Sequence, residues 1–145
     1  MLQRVTEASV TVEGACVGEI GGGLLVLLGL DKGDDEVVAR RMRDKLLAYR
    51  LFSDEQGRMN LNVEQAGGAV LLVSQFTLSA DTRKGLRPGF SSALPPAAAE
   101  ILYGQFLAML REGEVPIAAG IFGADMQVAL VNDGPVTFLL EIDPD

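Results

Sequence analysis

The chain of 145 residues carries 12 Lys plus Arg against 20 Asp plus Glu, a net charge of −8, with 48% hydrophobic residues and no histidine. That length suits one domain whose core needs no disulfide or structural metal, and the acidic balance excludes broad, sequence-independent binding along a nucleic-acid duplex. With Cys16 as the only cysteine, neither a Ser-His-Asp triad, a Cys-His pair nor a His- or Cys-rich zinc site can be built within the chain.

"ASVTVEGACVGEI" alternates apolar and polar residues on both sides of Glu13-Gly14, the pattern of two strands joined by a tight turn. Cys16 lies in the second arm and reads as a buried structural thiol, since a nucleophile there has no imidazole partner. "GLLVLLGL" follows, wholly apolar and bounded by Gly21 to Gly23 before it and Asp31 to Asp34 after it. It predicts a strand covered on both faces, central in its sheet, and it is too short to span a bilayer. No basic and apolar leader precedes it, so a soluble cytoplasmic protein is expected. The glycines before it lead into a strand rather than a helix, so they form no phosphate cradle.

From Asp34 to about Phe52 the spacing turns helical. Val38, Met42, Leu46 and Tyr49 make the apolar stripe, Arg40, Arg41, Arg43 and Lys45 a solvated face, and Asp34, Asp35 and Glu36 sit where a helix dipole favours negative charge. "SDEQGRMN" is a turn-rich connection, and "AVLLVSQFTL" is a second continuous apolar strand that ends in polar groups. A loop from Ser79 to Leu94 holds Arg83, Lys84 and Arg87, with no acid between Asp81 and Glu100. On composition alone those cations are a solvated loop.

A second helix is predicted from about Pro95 to Arg111, with Leu102, Phe106 and Met109 or Leu110 as its stripe and Pro95-Pro96 in place of a capping side chain. "IAAGIF", "MQVALVN" and "VTFLLEI" supply the last strands. The order gives an α+β fold: one domain over residues 1–145, a curved, largely antiparallel or mixed and barrel-like sheet, and two main helices.

Two buried strands are interrupted by polar residues, "SQFT" (Ser74 to Thr77) and "NDGP" (Asn132 to Pro135). Each alone is ordinary turn chemistry, with Pro135 as an edge or bulge proline. Together they suit a site without histidine, in which backbone N–H groups of Gln75 and Phe76 stabilise an oxyanion at a strand end. Ser74 and Thr77 offer hydroxyls, but no base is evident to activate them. A Gly134-Pro135 bond in cis would redirect the chain and aim carbonyls outward; sequence alone does not fix the isomer.

"VSQFTL" and "VNDGPVTF" closely resemble the two signature motifs of the D-aminoacyl-tRNA deacylases. "LQRVTEASVTVEG", "GLLVLLGL", "YRLFSDEQGRMNLNV", "DTRKGLRPGF" and "ADMQVALVNDGPVTF" follow in the order of that family. The resemblance implies a homodimer that hydrolyses the ester between a D-amino acid and the 3′-terminal adenosine of tRNA, with no cofactor and no metal; selectivity by blocking would also admit glycine, which has no side chain to clash. It implies that Gly134 and Pro135 are joined in cis and enter the partner subunit's pocket, where their carbonyls hold the α-amino group and leave no room for an L side chain. Ser74, Gln75, Phe76 and Thr77 then line the scissile ester, and Arg4 supports the Gly-Pro loop. The nucleophile is a water, aided by the terminal 2′-hydroxyl, in preference to Thr77, and the Arg83 to Phe90 loop neighbours the tRNA end.

Three departures stand out. Only Met1 and Leu2 precede "QRV", which should shorten the first strand; the second helix lacks a side-chain cap; and Gly89 replaces a frequent serine, which should loosen its loop. Two rival functions remain on sequence alone: a module of the same fold that binds tRNA ends or other nucleic acid without cleaving, and a small-ester hydrolase acting through Thr77.

Overall fold

β1 (Leu2–Val12) and β2 (Ala15–Ile20) form the hairpin that the alternation predicts. Glu13 (φ 49°) and Gly14 (φ 79°) occupy its turn, both in the left-handed region that a two-residue hairpin connection uses. The computed structural model describes all 145 residues. At 11 residues β1 is not shortened by its position near Met1. Cys16, expected to be buried, is exposed. The correction has a simple cause: this end of β2 extends past the packed layers, so Ala15, Cys16 and Val17 are exposed on either face.

β3 (Gly23–Leu28) is central as predicted, antiparallel to β1 on one side and parallel to β6 (Ala69–Ser74) on the other. Leu24 and Val26 on one face and Leu25 on the other are all buried, which is why this strand lacks polar alternation. Gly23, at φ 154°, lies so close to β6 that a Cβ there would fall 1.9 Å from the Ala69 carbonyl oxygen. β7 (Ile117–Ala119) adds parallel to β6, and β2 curls over until Gly18 lies against Ala119. The mixed sheet thereby becomes a nearly closed barrel whose interior holds Val5, Ala8, Val10, Leu25, Leu71 and Val73.

Both helices cover the outer face. α1 (Glu36–Ala48) starts at Asp35, whose carboxylate accepts the Val38 N–H at 3.0 Å, a side-chain cap for an otherwise orphaned donor. α2 (Pro96–Leu110) has proline in its first turn and no side-chain cap, as the sequence implies. Its buried Leu102, Tyr103, Phe106 and Leu110 pack with Ala39 and Leu46 of α1 over Leu24, Val26, Val70 and Leu72. Phe106 is 1% exposed, so truncating it to alanine would cost about 3–5 kcal/mol.

Arg43 departs from the solvated face expected of it. It donates to the Met109 carbonyl at 2.9 Å and to Glu112 at 3.1 Å, joining α1 to the C-terminal end of α2. There the last carbonyls of a helix lack partners within the helix. Between the helices, "SDEQGRMN" forms a small hairpin, β4 (Phe52–Ser53) with β5 (Met59–Leu61), its turn held by Asp54 accepting from the Gln56 and Arg58 N–H groups. No helix is long and apolar enough to cross a membrane.

β8 (Gln127–Phe138) runs antiparallel along β1. The two strands expected on either side of "NDGP" are one strand, and the Leu139 to Ile142 stretch beyond it is not part of any strand. Continuity survives because the polar residues leave the ladder without ending it: while β1 advances from Gln3 to Val5, β8 moves from Thr137 to Asn132.

Candidate active site

The residues skipped by that register shift are a bulge of main chain braced by two side chains. Asn132 sits at its base. Its Oδ1 accepts the Val136 N–H at 2.7 Å, and its Nδ2 donates to the Val136 carbonyl at 3.3 Å and to the Thr137 hydroxyl at 3.0 Å. Those bonds replace the strand pairing that the bulge gives up. Arg4, on the neighbouring strand, donates from Nε to the Asp133 carbonyl at 3.0 Å and from Nη1 to the Leu51 carbonyl at 2.9 Å. Its side chain is 13% exposed, so the fork is held by packing as well as by hydrogen bonds.

Gly134 and Pro135 form the tip. Their peptide bond is cis, and Gly134 has φ 143°. A Cβ on Gly134 would approach Val136 Cγ2 to 2.6 Å and the Val136 nitrogen to 2.9 Å, so glycine alone fits this backbone. Sequence reasoning singled out Arg4, Gly134 and Pro135 but gave Asn132 no task of its own. The available signal was an Asn beside a Gly-Pro pair inside a strand, a place where a short amide can replace ladder bonds.

The second interruption behaves differently. Ser74 ends β6 opposite Leu28, and Phe76–Ser79 form one 3₁₀ turn. The Gln75 N–H, expected to face an oxyanion, donates instead to the Leu28 carbonyl at 2.8 Å. This corrects the expectation: the parallel pairing of β3 and β6 continues one residue past the strand and engages that donor. The Phe76 N–H has no acceptor within the chain. The Gln75 side-chain amide donates to the Thr77 hydroxyl, and no carboxylate or amine bonds to that hydroxyl.

Beyond the turn, residues 81–89 close into a loop through reciprocal backbone bonds between Asp81 and Gly89 at 2.7 and 3.0 Å. Gly89 therefore anchors the neck of the loop where a loosened one was expected. Phe90 packs on Phe76 with ring centroids 5.1 Å apart, tying the loop to the turn. The Arg83 guanidinium, hydrogen-bonded to Asp81, holds that carboxyl well below the usual carboxylate range. No three His, Cys, Asp or Glu side chains gather to hold a metal ion.

Within one chain the two interruptions do not meet. Arg4, which holds the bulge, pairs with Leu24, whereas Ser74 pairs with Leu28. The offset is about 13 Å along the strands, and β1 and β3 lie between β8 and β6 at about 4.8 Å per strand. A concavity of about 280 Å³ between β3, the helices and residues 139–144 touches Leu78 and Ser79 but neither Ser74 to Thr77 nor Gly134 and Pro135.

The family described as D-Tyr-tRNA(Tyr) deacylase matches residues 1–141. A D-aminoacyl-tRNA deacylase of Escherichia coli O1:K1 is 60% identical over 142 residues, covering 98% of each chain. The protein of that name in Shigella boydii serotype 18 is similar to the same extent. Among solved structures, a c-Myc DNA unwinding element binding protein superposes with a TM-score of 0.93 at 44% identity, covering 98% of this chain and 97% of its own. A probable eukaryotic D-amino acid tRNA deacylase shares the fold, with a TM-score of 0.74 at 19% identity over 92% and 93% of the two chains.

Proposed function

The chain belongs to the D-Tyr-tRNA(Tyr) deacylase family and is an ester hydrolase of that class; we propose that it cleaves D-aminoacyl and glycyl esters from the 3′ end of tRNA and rejects L-aminoacyl esters with main chain alone. The observation that carries this reading is the braced bulge of β8, in which Arg4 and Asn132 hold the main chain on both sides of Gly134 and Pro135. The carbonyls of those two residues accept hydrogen bonds from a substrate ammonium. The rigid chain beside them excludes a side chain of the wrong hand, a rejection by clash.

The ester lies against the 3₁₀ turn. There the Phe76 N–H, the donor without an acceptor, polarises the ester carbonyl and stabilises the negative charge that develops on it. Ser74 and the Gln75 and Thr77 side chains line the site. Thr77 is the less favoured nucleophile, because the only group bonded to its hydroxyl is an amide that cannot take its proton. A water, helped by the 2′-hydroxyl of the terminal ribose, makes the attack.

Because the bulge and the turn lie far apart in one chain, a homodimer assembles each site, one copy supplying Ser74 to Thr77 and the other Gly134 and Pro135. The enzyme works in the cytoplasm, where its substrate is made. A second reading follows from the relative named for DNA binding: a nucleic-acid module without hydrolysis. The net charge of −8 opposes duplex binding.

Hydrolysis of matched D-, L- and glycyl-tRNA by the purified protein separates these readings. Cleavage of the D and glycyl esters with the L ester spared is expected. Equal cleavage of D and L esters refutes the filter, and binding without any cleavage favours the module.

A further inference from the structure

The loop from Asp81 to Phe90 carries three cations, but they are not equivalent. Arg83 is bonded twice to Asp81, by Nε at 2.9 Å and by Nη2 at 2.8 Å, so its charge is neutralised locally. Lys84 and Arg87 form no ion pair and no side-chain hydrogen bond, although the chain has an excess of acids that could take them. Between them Leu86 is fully exposed, at 104%. No acidic residue follows until Glu100.

Two further features give this loop a fixed place. The Asp81 and Gly89 backbone bonds close its neck, and the Ser92 hydroxyl donates to the Ser79 carbonyl at 3.2 Å. Phe90 rests on Phe76, whose own N–H is the donor without an acceptor. The unpaired cations thus lie in a loop that the Phe76–Phe90 contact ties to the 3₁₀ turn.

We propose that Lys84 and Arg87 are a phosphate clamp for the single-stranded acceptor end of tRNA, gripping the backbone immediately upstream of the esterified adenosine. A single-stranded nucleotide presents an anionic phosphate and an apolar base face, which matches two free cations flanking an exposed leucine. A local clamp of this size also fits a chain whose overall charge repels a duplex. The inference rests on the deacylase reading and adds what holds the substrate. Lys84 and Arg87 are binding residues that touch no reacting atom.

The test compares the wild type with the double variant K84A/R87A on two substrates, D-aminoacyl-tRNA and 3′-D-aminoacyl-adenosine, the second of which has no phosphate. Both side chains are exposed and make no hydrogen bond or ion pair within the chain, so the melting temperature should not move. For the tRNA substrate, kcat/KM should fall by about tenfold, mainly through KM, and the log–log dependence on salt should flatten by about 0.7 per cation removed. Hydrolysis of the adenosine ester should stay within about twofold, since no phosphate contact is lost.

Equal losses on both substrates, or an unchanged salt slope, would overturn the clamp. Failure of the wild type to cleave either ester would instead sink the deacylase reading. In that event, affinity for uncharged tRNA, measured with the same proteins, still decides the clamp: loss of salt-sensitive binding in the variant supports it and unchanged binding overturns it. Adsorption of the wild type to phosphatidylserine vesicles, with tRNA binding unaltered in the variant, would assign the loop to a membrane and also overturn it.

Discussion

The two polar interruptions begin from similar sequence logic and end in opposite physical states. At the β8 bulge, Asn132 and Arg4 make five hydrogen bonds; four hold the chain on either side of Gly134, and the fifth ties Arg4 to the Leu51 carbonyl. At the β6 end, the turn is left open: Phe76 is 62% exposed and its N–H is unmatched. On the proposed function the contrast separates two tasks. A surface that judges shape must not yield, while a donor that stabilises transient charge must be unoccupied before the substrate arrives.

The contrast can be broken at either end. The largest effect is expected from Phe76→Pro. Gln75 has φ −143° and ψ 80°, outside the α region that a following proline disfavours, so the change deletes the N–H without forcing Gln75 out of a helical conformation. Hydrolysis of D-aminoacyl-tRNA should fall about 10²–10³-fold. Phe76→Ala, which keeps the N–H and loses only the ring, should fall far less, and equal losses in the two variants would remove the oxyanion role.

Gly134→Ala comes next. Its Cβ would collide with Val136, displacing the tip, and a shift of about 1 Å is enough to cost about 10²-fold in rate. Steady-state rates on D and L esters check this, and unchanged rates with unchanged preference would exclude the tip from the site. Smaller again are Asn132→Ala and Arg4→Ala, which leave the Val136 N–H or the Asp133 and Leu51 carbonyls unpaired. Each should cost about 1–3 kcal/mol in denaturant unfolding, with a weakened D over L preference. Arg4→Lys should not rescue, because an ammonium cannot span both carbonyls as a fork does. The smallest effect belongs to Thr77→Ala, expected within about fivefold of wild type; loss of all activity there would restore the threonine nucleophile.

How far the sequence foretold this depends on where the deciding interaction lies. Local patterns carried the Glu13-Gly14 hairpin, the double-sided burial of β3 and both helical stripes, because each is decided by neighbours a few residues away. What escaped was set by distant partners. Gln75 looks like a free donor until the parallel register places Leu28 beside it. Cys16 looks buried until β2 is seen to outrun the core. "NDGP" looks like the end of a strand until β1 is found running along both of its sides. Arg43 looks solvated until the end of α2 arrives next to it. Of the candidate site, the sequence singles out Ser74 to Thr77, Gly134 and Pro135, but which N–H is unoccupied and which side chains brace the bulge depend on the folded topology.

The central claim is that each site joins the turn of one copy to the bulge of another. Mixing two variants tests it most directly. Phe76→Pro has a defective turn and a sound bulge, and Gly134→Ala has the reverse, so each homodimer should be nearly inactive. After unfolding and refolding together, each mixed dimer should hold one intact site and recover about half the wild-type rate on D-aminoacyl-tRNA. A mixture as inactive as its parents would show that bulge and turn do not cooperate across subunits, and would contradict the account.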